Sequence, residues 1–129
     1  MEQYIHLKIM EHEVEIIENF FKSNKKGRAK ELLVTAKKRK KLLNEFSHGN
    51  LFEDKYIVSI KREKQNPNDI YNCLKANGAE ETCFVISENL NIDGKSLDLK
   101  KVLKEIVGYG MGTIIYCKST ETAYFEGEG

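Results

Sequence analysis

CFVIS at residues 83 to 87 is an apolar run of strand length, and the polar loop after it carries Asn89, Asn91 and an Asp93-Gly94 turn signal. Asp98 is then placed as a helix N-cap, with Leu97 and Val102 set for a hydrophobic staple. Leu99, Val102, Leu103 and Ile106 give that helix, over residues 98 to 107, its buried stripe. Gly108, Gly110 and Gly112 stop it. TIIYC at 113 to 117 and AYF at 123 to 125 then read as two strands joined by the polar KSTET stretch. The C-terminal half is therefore β-α-β-β. Its last two strands form an antiparallel hairpin, and the helical crossover permits a parallel partner for residues 83 to 87.

Working back toward the N-terminus, Asn66 is an N-cap, Pro67 occupies the favoured first helical position and Asn77-Gly78 supplies a left-handed stop, so a helix lies between them. Residues 56 to 60 (YIVSI) are β-branched and aromatic and read as a further strand. Leu7, Met10, Val14, Ile17 and Phe21 recur at helical spacing, with Glu11, Glu15 and Glu18 on another side, which predicts an acidic helix over residues 5 to 22. SNKKG at 23 to 27 holds turn formers. Ala29, Leu32, Leu33, Ala36, Leu43 and Phe46 mark a second helix ending near His48-Gly49. The expected fold class is α+β in a single domain, residues 1 to 129. An antiparallel helical hairpin (1 to 49) packs beside an α/β part (50 to 129) with a small mixed sheet of about four strands and helices on one face.

A chain of 129 residues can bury one ordinary core. With 32% charged residues and no apolar run near the eighteen or so that a span requires, it does not read as a membrane protein. The first fifteen residues have no basic start and no unbroken apolar stretch, so they do not read as a secretory signal, and a cytoplasmic location is expected. Cys73, Cys83 and Cys117 are odd in number and far apart, which argues against a disulfide framework or a thiolate zinc site and for buried thiols.

Charge is the distinctive feature. Ten of the 21 Lys and Arg residues fall in residues 22 to 41, where only Glu31 opposes them and the local net charge is +9. Residues 1 to 21 carry −4, residues 42 to 77 carry zero and residues 78 to 129 carry −4. Successive helical residues rotate by about 100°, so the five consecutive bases at 37 to 41 encircle the helix and cannot all face water. Arg39 and Lys40 fall where the apolar stripe should continue. We therefore expect one of them to pair with Glu11 or Glu13 while its alkyl stem covers the seam. Lys22, Lys25, Lys26, Arg28 and Lys30, with Lys37, Lys38 and Lys41, form the candidate anion-binding surface. No aromatic residues interleave with them to stack on bases.

Other motifs carry less. GYGMG at 108 to 112 looks like a phosphate loop, but it runs from helix into strand, the reverse of the order that aims a helix N-terminus at an anion. Asn89, Asn91, Asp93 and Gly94 imitate half of a calcium loop, yet Lys100 stands where a bidentate Glu is needed. Glu88, Asp93 and Glu126 are weak catalytic candidates: should they converge at a sheet edge, they could hold a divalent cation that activates water for ester hydrolysis. His6, His12 and His48 have no metal-ligand spacing.

The leading expectation is a non-catalytic binding module whose basic hairpin engages a negatively charged partner, either nucleic acid or an acidic protein surface. The alternatives are a small metal-dependent hydrolase built on the three carboxylates and a structural domain that forms a homodimer. No cofactor is expected.

Overall fold

In the N-terminal segment a strand contact ends the first helix close to where the residue spacing predicts its end. The computed structural model describes residues 12 to 33, 36 to 48, 51 to 53, 55 and 58 to 127, and the chain divides into two compact units, Met1–Ile57 and Val58–Gly129. In the first unit, residues 12 to 20 are helical (α1). The Lys22 N–H is then drawn to the Leu51 carbonyl (2.7 Å) and the Glu53 N–H to the Phe20 carbonyl (2.9 Å). Phe21 and Phe52 form an antiparallel bridge, their rings edge to face at 5.2 Å. Lys22 is left extended, which ends α1. Residues 51 to 53 belong to this unit.

The helix α2, Ser23–Leu32, starts at once, and α3, Ala36–His48, follows. SNKKG is therefore the first half of a helix and not the expected turn, and the predicted second helix is two. Ser23 and Asn24 suit a first helical turn. Gly27 is accommodated in mid-helix with open space around it. The β-branched pair Val34-Thr35 falls between the two helices in the sequence. Residues 5 to 11 of the expected first helix lie outside the described residues, as do Tyr56 and Ile57 of the expected strand. The rest of that strand, residues 58 to 60, is irregular, and Val58 is 88% exposed.

In the second unit, α4 is Pro67–Ala76. The Asn66 side chain accepts from the Asp69 N–H (2.9 Å) at its start. At its end the Ala79 and Gly78 N–H groups return to the Leu74 and Lys75 carbonyls, with Gly78 left-handed at φ 90°. Four strands follow: β1 Thr82–Ser87, β2 Ser96–Asp98, β3 Thr113–Cys117 and β4 Thr122–Glu126, with α5, Leu99–Ile106, between β2 and β3. The order across the sheet is β2-β1-β3-β4, and every neighbouring pair is antiparallel.

The class is α+β, as expected, but the sheet is not mixed. The α5 crossover does join two strands of the same direction, as the handedness argument supposes. Those strands are β2 and β3, and β1 lies between them, antiparallel to both. β2 is the strand the sequence did not announce. It is short, and its register with β1 (Cys83↔Leu97, Phe84↔Ser96) makes it a strand. Asp98 caps α5 by accepting from the Lys101 N–H (3.1 Å). Ile70 and Leu74 of α4 and Leu99, Val102, Leu103 and Ile106 of α5 pack on one sheet face with Cys83, Val85, Ile115 and Cys117.

Candidate functional site

The ten bases of residues 22 to 41 fall into two groups once their partners are known. Arg39 of α3 bonds to Glu13 of α1; Glu13 is fully buried, and 17% of the Arg39 side chain remains exposed. The expected seam pair is therefore present, with Arg39 as its base. Arg28 of α2 bonds to Glu45 of α3 at 2.6 Å, and Lys30 and Lys26 both reach Glu18 of α1, Lys26 at 3.6 Å. The hydrogen bond from Lys30, followed by its charge, holds the Glu18 carboxyl below its ordinary range.

Three of the eight residues expected to bind an anion, Lys26, Arg28 and Lys30, are thus engaged within the chain. Lys22 is half-buried at the start of α2, and its N–H serves Leu51. Lys25, Lys37 and Lys41 are exposed, and Lys38 is exposed but not free. Lys40, which the sequence placed on the seam as an alternative to Arg39, is exposed as well. Rotation by about 100° per residue accounts for this: with Arg39, Leu42 and Leu43 facing inward, Lys37, Lys40 and Lys41 are carried to the opposite side of α3. The inward pull of two adjacent leucines was the signal that could have separated Arg39 from Lys40. Among the described residues, no ion pair involves Lys25, Lys37, Lys40 or Lys41.

The charge follows the division of the chain. Residues 1 to 57 hold twelve Lys and Arg against nine Asp and Glu, a net +3, and residues 58 to 129 hold nine against eleven, a net −2. Both arginines of the basic segment are used inside the first unit, so its outward cations are all lysines.

The carboxylates considered for catalysis do not form a metal site. Glu126 accepts from the Gly108 N–H (2.9 Å) and the Gly110 N–H (3.1 Å), and the Tyr124 hydroxyl donates to it at 2.9 Å. Glu88 accepts from the Gly112 N–H (2.8 Å), and Asp93 from the Ser87 N–H (3.0 Å). Each carboxylate satisfies backbone amides. Among the described residues, no three His, Cys, Asp or Glu side chains gather as a metal would require. GYGMG is accordingly a helix stop, with Gly108 and Gly110 left-handed, whose amides hold the chain's own glutamates. The resemblance to a calcium loop has the same origin: Asn89 Oδ1 accepts from the Asn91 N–H, shaping a turn.

A second polar cluster lies on the surface of the C-terminal unit. The Tyr71 hydroxyl lies 2.9 Å from both oxygens of Glu81, and Lys75 pairs with Glu81 at 2.8 Å. The Lys75 hydrogen bond, then that of Tyr71, holds Glu81 below its ordinary range. Such exposed pairs tether α4 to the strand that follows it and contribute little energy. Among the described residues, no helix is long and apolar enough to cross a membrane. In comparisons with known proteins the chain matches no family model, no curated protein and no solved structure.

Proposed function

We propose that the protein is a binding module whose lysine face on α3, formed by Lys37, Lys40 and Lys41 with Lys25 of α2 as a further contact, docks a negatively charged partner, a nucleic-acid backbone or an acidic protein surface. The observation that supports this is the partition of the basic segment: its arginines are consumed by Glu13 and Glu45, while three lysines at i, i+3 and i+4 share one exposed side of α3. Like charges at that spacing each cost about 0.2–0.5 kcal/mol, and a polyanion would reverse the sign of that term. Lysine is a compact point charge without the fork that fixes guanidinium geometry. The contact is therefore salt-sensitive and indifferent to base sequence.

The test compares the unsubstituted chain with Lys37→Ala/Lys40→Ala/Lys41→Ala on immobilised heparin and in titrations of a labelled DNA duplex and of polyglutamate. Earlier elution of the variant is expected, with a shallower salt dependence of affinity for whichever polymer binds. On duplex the slope should fall by roughly 0.9 per lysine removed. Identical elution and identical slopes would remove the proposal. Binding to polyglutamate alone would leave an acidic protein as the partner.

A further inference from the structure

The register of β1 on β3 runs from Ser87↔Thr113 to Phe84↔Tyr116, and its continuation by one residue reaches two cysteines. Phe84 opposes Tyr116, so the next step along both strands sets Cys83 against Cys117. The Glu88 N–H donates to the Gly112 carbonyl at 2.9 Å, which makes 88/112 a hydrogen-bonded pair. By the alternation of an antiparallel ladder, 87/113, 85/115 and 83/117 are then non-hydrogen-bonded pairs, where Cα atoms approach to about 4.5 Å. The Ser87/Thr113 pair shows what that spacing does to side chains on this face: the two hydroxyl oxygens are 2.7 Å apart. Cys83 and Cys117 occupy the same face at the other end of the ladder, both buried in the core under α4 and α5. A disulfide needs Cα atoms roughly 4.4–6.8 Å apart.

We infer that Cys83 and Cys117 are an oxidisable pair that closes to a cross-strand disulfide joining β1 to β3. Hydrogen peroxide is the class of oxidant. One thiolate attacks a peroxide oxygen, the O–O bond breaks, and the departing hydroxide takes up a proton. The second thiolate attacks the resulting sulfenic sulfur, the S–S bond forms, and the sulfenic oxygen leaves as water. In sum, two thiols and one peroxide give one disulfide and two waters. Cys83 gives up only a weak contact, its Sγ being 3.5 Å from the Leu97 carbonyl.

The thiolate is the reacting form. Burial, then the neighbouring Cys117, pushes Cys83 up to about 12, and burial, then Glu80, pushes Cys117 up to about 11. Cys117 is accordingly the first to react, and the pair closes slowly at neutral pH and faster in alkali. The closed bond encircles β2 and α5 and so restricts the unfolded chain.

The test uses Cys73→Ser, which removes the one exposed thiol, incubated with hydrogen peroxide at pH 9 and then unfolded in an alkylating agent. The expected result is a product lighter by two hydrogens that takes up no alkyl group, a Cys83–Cys117 linked peptide in the unreduced digest, and a Tm raised until reductant is added. In Cys73→Ser/Cys117→Ser the gain in Tm is absent. Two alkylatable thiols after prolonged oxidation, or sulfinic and sulfonic products without the linked peptide, would overturn the inference. The unsubstituted chain, digested in the same way, guards against an effect of Cys73→Ser on folding.

Discussion

Arg39 of α3 donates to Glu13 of α1, and among the described residues Glu13 is the one charged side chain that is fully buried. Removing one member of such a pair strands the other charge away from water, at a cost of about 3–5 kcal/mol. Arg39→Met should lower the unfolding free energy obtained from urea titration by an amount in that range, and Arg39→Met/Glu13→Leu should recover most of it. A double variant no more stable than the single one would show that the pair is not the dominant interaction at the seam.

Glu126 clasps two amides of the GYGMG loop and receives the Tyr124 hydroxyl. Hydrogen bonds to a charged group contribute about 1.5–3 kcal/mol each at most, and the carboxylate is partly solvated. Glu126→Ala should therefore destabilise the chain by about 2 kcal/mol and speed amide exchange at Gly108 and Gly110. Glu126→Gln, which keeps an acceptor oxygen, should lose less.

Gly27 lies inside α2 with no atom within 4 Å of where a Cβ would sit. Glycine in a helix interior costs about 0.5–1 kcal/mol relative to alanine. Gly27→Ala should raise stability by that amount, measured as a shift of the denaturant midpoint at unchanged slope. A loss would mean that this segment is not helical in solution.

Burial raises both Cys83 and Cys117 above the ordinary thiol value of 9.0. Unfolding releases a proton from each between pH 9 and their folded values of about 12 and about 11. The unfolded chain then binds fewer protons than the folded one, so stability is complete below pH 9 and falls as pH rises. The limit is about 1.4 kcal/mol per pH unit for each thiol. In reductant, Cys83→Ala/Cys117→Ala should flatten this alkaline limb. At neutral pH a thiol reagent should label Cys73 promptly and the other two only on unfolding.

The parts of the fold that residues announce locally were legible. Asn66-Pro67, Asn77-Gly78 and Asp98 cap helices because their side chains or backbone freedom act within a few residues, and TIIYC has strand character wherever it is placed. What distant segments impose was not legible. The end of the first helix was read to within two residues, but the bridge that carries residues 51 to 53 to it was not, and β2 depends on β1 alongside it. The site divides in the same way. Five bases in succession on a helix force one inward, and that much followed from rotation alone. Assigning the inward position to Arg39 needed the packing of Leu42 and Leu43, and the fate of Glu88, Asp93 and Glu126 needed the strand order.

Because β1 lies between β2 and β3 with α5 spanning the two, a chain emerging from the ribosome can close only the β1–β2 hairpin at first. The ladder at the centre of the sheet waits until Cys117 has been synthesised. Through that interval one edge of β1, with Phe84, Val85 and Ile86 along it, is an unpaired apolar template open to pairing with another strand.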